Sequence, residues 1–239
     1  MSIPDNVQLT SLTELQSSRD STGAWYEVVV MDGRNRVGLI CALPSTPPDP
    51  HIHPDYNEWW INVGGQTQWQ IGQYEPLLAA WGDIVIAPAG YCHDIRSKGT
   101  EHARRLHVSH PNSNHDIRGI APNRYVPVDY GVPMPNLLHT RYEDLRGKNG
   151  LLVAWSQVIV EDGRNRATMV QACTGDTTEP HKSQTDEWWV LLDGTASLHT
   201  NKGDVHMARG DIVLVEGNTS YSVISTSTEP SVRIVVTAP

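Results

Sequence analysis

Short runs of β-branched and aromatic residues, bounded by glycine, proline or asparagine, recur along this chain, and no amphipathic helical pattern of any length interrupts them. In the first half the runs are Trp25 to Val30, Glu58 to Val63, Gln66 to Ile71, Asp83 to Ala87 and Arg104 to Ser109. In the second they are Glu187 to Leu192, Ala196 to Thr200, Asp211 to Val215 and Ser231 to Val236. Asp32-Gly33 and Asp162-Gly163 follow a strand-like run in each half and mark turns. Only Leu12 to Gln16 and Tyr142 to Arg146 read as short helices or turns. Many short strands at even spacing predict an all-β fold of sandwich or barrel type, one per half.

The two halves repeat each other. Ala24-Trp25 through Asp32-Gly33-Arg34-Asn35-Arg36 returns as Ala154-Trp155 through Asp162-Gly163-Arg164-Asn165-Arg166, an offset of 130. Glu58-Trp59-Trp60 returns as Glu187-Trp188-Trp189 at 129, and Gly82-Asp83-Ile84-Val85 as Gly210-Asp211-Ile212-Val213 at 128. Collinear matches whose offset drifts one residue at a time are what duplication followed by small loop deletions leaves. The expected domains are residues 1–130 and 131–239, joined by a proline-rich connection between His110 and Pro135.

Composition narrows the function classes. The chain of 239 residues carries 27 acidic against 18 basic side chains, a net charge of −9, which disfavours a phosphate-binding face and hence nucleic acid. No stretch approaches the ~18 apolar residues of a membrane helix. Cys41, Cys92 and Cys173 form no even framework, and the first ten residues lack the basic and apolar regions of a leader, so a reducing, cytoplasmic setting is expected.

Two stretches carry chemistry. In His51-Ile52-His53 alternate side chains of an extended segment share one face, and the four residues before Glu58 allow a turn that returns its carboxylate to the imidazoles. In Gly82 to His93, Pro88 and Gly90 make a tight turn that sends His93 inward.

With these residues in place, the chain resembles the cupin superfamily. His51, His53, Glu58 and Gly65 fall on its first motif, with Ser45 in place of the leading glycine; Gly82, Pro88, Gly90 and His93 fall on its second, with Ser97 in place of the closing asparagine. The resemblance implies a bicupin, two tandem jelly-roll-like β-barrels, and carries His51, His53, Glu58 and His93 over as metal ligands. Three imidazoles and a carboxylate suit one divalent ion per chain, Fe(II) favoured over Mn, Ni, Zn or Co, with open coordination positions. The second half has lost the set: His181 and Glu187 remain, but Ser183 stands for His53 and Tyr221 for His93. That barrel is expected to be empty of metal.

Comparing the halves also selects pocket residues. Asn62 shares a strand face with Glu58 and Trp60, where the second half has Leu191, and is expected to touch substrate or to support the ligands from behind; His107 stands where the second half has Val235 and is expected to act as general base or hydrogen-bond donor. Gln68, Gln70 and Tyr91 are weaker candidates. The paired tryptophans, present in both halves, read as barrel packing, and DGRNR as a structural turn. Bicupins of this kind include dioxygenases, so the expected function is non-haem Fe(II) oxygenation of a small oxygenated or aromatic substrate. The alternatives are an isomerase or lyase using the ion as Lewis acid, and a non-catalytic small-molecule binder. No nucleic-acid or membrane partner is expected, and a homodimer through exposed barrel edges is.

Overall fold

A computed structural model describes residues 3–19, 23–113 and 134–239; His115 and most of the proline-rich connection lie outside them. The first part of the chain runs β1 (Val7–Thr10), α1 (Leu12–Ser18), β2 (Trp25–Met31), β3 (Arg36–Ala42), β4 (Glu58–Gly64) and β5 (Gln66–Ile71). It continues through β6 (Leu77–Ala79), β7 (Ile84–Ala87), β8 (His93–Lys98), β9 (Ala103–Ser109) and β10 (His139–Thr140). The second runs α2 (Tyr142–Asn149), β11 (Trp155–Glu161), β12 (Arg166–Ala172), β13 (His181–Lys182), β14 (Glu187–Asp193) and β15 (Thr195–Thr200). It closes with β16 (Gly203–Ala208), β17 (Ile212–Val215), β18 (Ser220–Ser225) and β19 (Ser231–Thr237). No helix among the described residues is long and apolar enough to cross a membrane.

Each half folds as a two-sheet barrel. The first has a six-stranded sheet ordered β10-β7-β4-β9-β3-β2 and a three-stranded sheet ordered β6-β5-β8. Trp60 and Val85 from the larger sheet pack with Trp69, Ile71 and Leu77 from the smaller into one core. The second has sheets ordered β1-β17-β14-β19-β12-β11 and β13-β18-β15-β16, with Trp189, Leu191, Val213 and Val215 meeting Leu198, Val205 and Val223 between them. The tryptophan pairs do pack these barrels: Trp59, Trp60, Trp188 and Trp189 are all at most 1% exposed. The DGRNR segments are turns tied by their aspartates. Asp32 Oδ1 accepts from the backbone N–H of Arg34 and Asn35 at 3.0 and 2.6 Å, and Asp162 Oδ1 does the same for Arg164 and Asn165 at 3.1 and 2.8 Å.

The expected boundary near residue 130 is corrected by the fold. One compact unit joins residues 1–21 to 146–239, and the other comprises 22–145. The cause is strand pairing: β1 lies antiparallel to β17 with Val7 opposite Val215, and β10 lies antiparallel to β7 with His139 opposite Val85. Each barrel therefore takes its edge strand from the other repeat. The recurring Gly-Asp pair receives these arms. Gly82, at φ +79, leaves room for the Tyr142 ring, which an added Cβ would meet at 2.7 Å, and Gly210, at φ +90, does so for Leu12. Asp83 accepts from the backbone N–H of Tyr142 at 2.8 Å through Oδ1, and its Oδ2 lies 3.1 Å from His139 Nε2.

Candidate metal centre

Backbone geometry brings the four candidate ligands together before their side chains are considered. His51 and His93 form an antiparallel bridge, with the N–H of each donating to the carbonyl of the other at 3.1 and 3.0 Å. The Gly90 N–H donates to His53 O at 2.7 Å, and Gly90 holds φ +77, so the Pro88–Gly90 turn seats His93 against the His-X-His segment. Glu58 opens β4 opposite Ala87 of β7, immediately before that turn.

The result is a compact, buried cluster. His51, His53, Glu58 and His93 each present a ligand atom, all within 4.8 Å of one another. Glu58 Oε2 lies 3.0 Å from His53 Nε2, 3.0 Å from His93 Nε2 and 3.8 Å from His51 Nε2, and the Nε2 atoms of His51 and His93 are 2.9 Å apart. The outer ring nitrogens explain the orientation. His51 Nδ1–H donates to the Asp49 carbonyl at 2.6 Å and His93 Nδ1–H to the Tyr91 carbonyl at 3.2 Å. A carbonyl only accepts, so a neutral ring held this way turns its Nε2 lone pair inward. His53 Nδ1 meets the Tyr56 hydroxyl at 2.8 Å, which in turn meets Ser113 Oγ at 2.8 Å. Two inward lone pairs at 2.9 Å cannot hydrogen-bond each other, and a cation between them and Glu58 satisfies both. The donor set therefore fits a metal ion, with outer-shell partners already fixing the rings.

The electrostatics divide around Glu58: burial pushes His51 down, but Glu58 and the Asp49 carbonyl outweigh it and raise that imidazole. Burial pushes the Glu58 carboxyl up, but the imidazoles of His107, His51 and His53 outweigh it and hold the group well below the usual carboxylate range. Burial pushes His93 down, against the opposing pull of Glu58, which keeps this imidazole neutral and available as a ligand.

His107 joins the cluster from β9. Its Nε2 bonds Glu58 Oε1, so it grips the carboxylate oxygen that faces away from the imidazoles. It stacks on Trp60 at 6.3 Å between centroids, and its Nδ1 has no hydrogen-bond partner among the described residues. Asn62 is a correction. Its Nδ2 donates to Gly65 O at 3.0 Å and Ala79 O at 3.4 Å, and its Oδ1 accepts from Thr67 Oγ1 at 3.1 Å. The amide ties the β4–β5 turn to β5 and β6, and with both polar atoms taken it does not line the cavity at the cluster. Gln68 and Gln70 line a separate surface cleft with Asp94, Arg96 and Lys98, also away from the cluster.

Above the ligands opens a cavity of about 420 Å³, lined by His51, His53, Glu58, Trp60, His107 and Arg105 among others. Arg105 was not anticipated. It lies two residues from His107 on β9, so both side chains share the inner face. Its Nε has no hydrogen-bond partner among the described residues, and its guanidinium carbon stands 5.9 Å from the Trp69 ring centroid. The signal was present in the repeat, because Arg233 occupies the matching position 128 residues on.

The second barrel keeps the frame and loses the donors. Tyr221, in place of His93, donates its hydroxyl to Glu187 Oε2 at 2.5 Å, filling the oxygen that a metal would need. His181 Nε2 stands 3.1 Å from that same oxygen, with its side chain 52% exposed. Tyr221→Phe is accordingly expected to leave the metal content of the purified chain unchanged by elemental analysis; a fall comparable to loss of a ligand would place an ion in this barrel.

Comparison with known proteins agrees with this architecture. The family model described as "Cupin domain" matches residues 169–237, within the barrel that lacks the full ligand set. Among solved structures, a cupin 2 conserved barrel domain protein from Leptotrichia buccalis aligns at TM-score 0.68 and 12% identity, covering 97% of this chain and 96% of that one. Salicylate 1,2-dioxygenase from Pseudaminobacter salicylatoxidans aligns at TM-score 0.75 and 11% identity, covering 97% and 84%. Its adduct with gentisate aligns at TM-score 0.73 and 11% identity, covering 97% and 81%. No curated protein matches the sequence.

Proposed function

Because the chain is a bicupin in fold, with a complete ligand cluster in one barrel and a filled one in the other, we propose that it is a metal-dependent oxidoreductase. The reading is a non-haem Fe(II) dioxygenase that cleaves a small hydroxylated aromatic acid. One observation carries it: a three-histidine, one-carboxylate cluster lies at the base of a cavity of about 420 Å³ whose wall holds an arginine with no hydrogen bond to its Nε. The donor set suits Fe(II) and leaves coordination positions open. When bound, the ferrous ion would supply the electrons that activate dioxygen. The likeness to salicylate 1,2-dioxygenase, at 11% identity, supports the scaffold for such chemistry and no more.

The chain's own residues divide the remaining work. Arg105 presents a planar cation to a substrate carboxylate, a bidentate pairing that fixes the ring's orientation as well as adding affinity. Trp60, buried against Trp69, His93 and His107, closes the inner wall behind the ligands and excludes water there. His107 holds Glu58 by one oxygen so that the other stays turned toward the imidazoles.

The test is oxygen uptake by the Fe(II)-loaded protein with salicylate, gentisate and catechol. Ring cleavage breaks one carbon–carbon bond and places both oxygen atoms in the product, so no external reductant is needed. Uptake of one dioxygen per carboxylated substrate, with both labelled atoms retained, is expected, with much slower uptake on catechol. Turnover without oxygen consumption would replace this reading with a lyase or isomerase, and binding without turnover would replace it with a binder.

A further inference from the structure

We propose that the C-terminal barrel is a second small-molecule site that works without metal, taking a monocarboxylate with a flat apolar body. The observation is Arg233, which is 5% exposed and whose Nε has no hydrogen-bond partner among the described residues. No carboxylate among the described residues lies within ion-pair distance of it, although Asp176 lines one adjoining hollow and Glu187 the other. Glu187 is engaged by the Tyr221 hydroxyl at 2.5 Å and by His181 at 3.1 Å. Tyr221 is itself kept neutral, because burial and then the Glu187 carboxylate raise its phenol far above the usual range. An arginine held on the inner face with its Nε buried and no ion-pair partner presents its guanidinium to the hollows it lines.

The cavity around that cation is built for the rest of such a ligand. It measures about 330 Å³ and is lined by Tyr221, Val223, Val235, Thr178 and Thr237, and also by His181 and Glu187, which bond each other. A second hollow of about 340 Å³ shares Thr178, Val223 and Arg233 with it, so the guanidinium stands where the two meet. The Arg233 guanidinium carbon lies 5.9 Å over the Trp189 ring centroid, so the buried indole backs the arginine, and a ligand's apolar body would meet Val223, Val235 and Tyr221 instead.

The internal repeat separates this role from metal chemistry. Where the first barrel has His53, His93 and His107, the second has Ser183, Tyr221 and Val235, yet Arg105 is matched by Arg233 and Trp60 by Trp189. Two of the four ligands and the histidine behind Glu58 are gone, while the cation and its tryptophan persist. With Val235 in place of His107, the cavity lacks that imidazole and is read as binding its ligand without transforming it.

Benzoate is the probe and benzamide, its neutral isostere, the control, both titrated calorimetrically into the full chain carrying Arg105→Met so that the first cavity loses its anchor. One benzoate per chain is expected, bound at least ~10-fold tighter than benzamide, since the pairing is charge-assisted. Adding Arg233→Met is expected to abolish that preference and to raise the melting temperature of the ligand-free chain, because it removes a buried unpaired charge. Equal affinity for benzoate and benzamide in the chain that retains Arg233 overturns the proposal, and this comparison requires no change in the second barrel. So does benzoate binding that Arg233→Met leaves untouched.

Discussion

His93→Ala is expected to strip the chain of metal: from one ion per chain to well below that by elemental analysis, with oxygen uptake falling beneath detection. The imidazole is 1% exposed and its Nε2 lies within 3.0 Å of both His51 Nε2 and Glu58 Oε2. Loss of an outer-shell partner weakens metal sites about 10- to 100-fold, so removing an inner ligand is expected to exceed ~100-fold. The fold should tolerate the change. The bridge between residues 51 and 93 is made by main-chain atoms, at 3.1 and 3.0 Å, and alanine keeps it. Without metal, the substitution also relieves two imidazole lone pairs of facing one another. The unaltered protein should gain melting temperature when ferrous or zinc ion is added, as any ligand of the native state requires, and the variant should gain almost none. A purified His93→Ala chain that still holds one tightly bound ion would sink the ligand assignment.

Much of this site could be read from residue spacing, and what escaped has definite physical causes. The ligand quartet was legible because its geometry is local: alternation sets His51 beside His53, and the Pro88–Gly90 turn aims His93. The strands from Trp25, Glu58 and Gln66 were legible for the same reason, their β-branched and aromatic runs ending at turn residues. β3 and β12 were missed although each is paired on both sides, one strand in from the edge of its six-stranded sheet, because Gly38 and Gln171 interrupt their apolar runs. The exchange of β1 and β10 was not legible at all. Pairing Val7 with Val215 depends on register across more than 200 residues, and four residues of alternation cannot announce a partner.

Asn62 and Arg105 show two opposite errors. Asn62 stands on the parity that faces the interior, but strand register shifts between Asn62 and Gly64 and its amide is taken by the turn and by β5 and β6. Parity gives a side chain's face and is silent on which backbone groups will claim it. Arg105 was passed over because a long cation on a strand reads as solvated. Its counterpart Arg233 in the other repeat was the available correction, since a solvated cation has no reason to recur on the inner face of both barrels.

Arg105→Met is expected to lower kcat/KM on salicylate by about 10- to 100-fold while leaving metal content and activity toward catechol near those of the unaltered chain. The size follows from one charge-assisted hydrogen-bonding group, about 1.5–3 kcal/mol. Burial pushes the guanidinium down to about 10, against the opposing pull of Glu58 and Cys41, so it remains cationic at neutral pH. Arg105→Lys should fall between, because an ammonium keeps the charge and forfeits the planar fork. The split between substrates is what distinguishes an anchor from a structural residue: a collapsed cavity would penalise catechol equally. Stability offers a second separation. Replacing an unpaired, desolvated cation by an apolar chain of similar length should hold or raise the melting temperature, whereas an arginine that braced β9 would lower it. Should salicylate and catechol lose activity in parallel, the acid-binding role fails, and the cavity above the ligands must orient its substrate by other means.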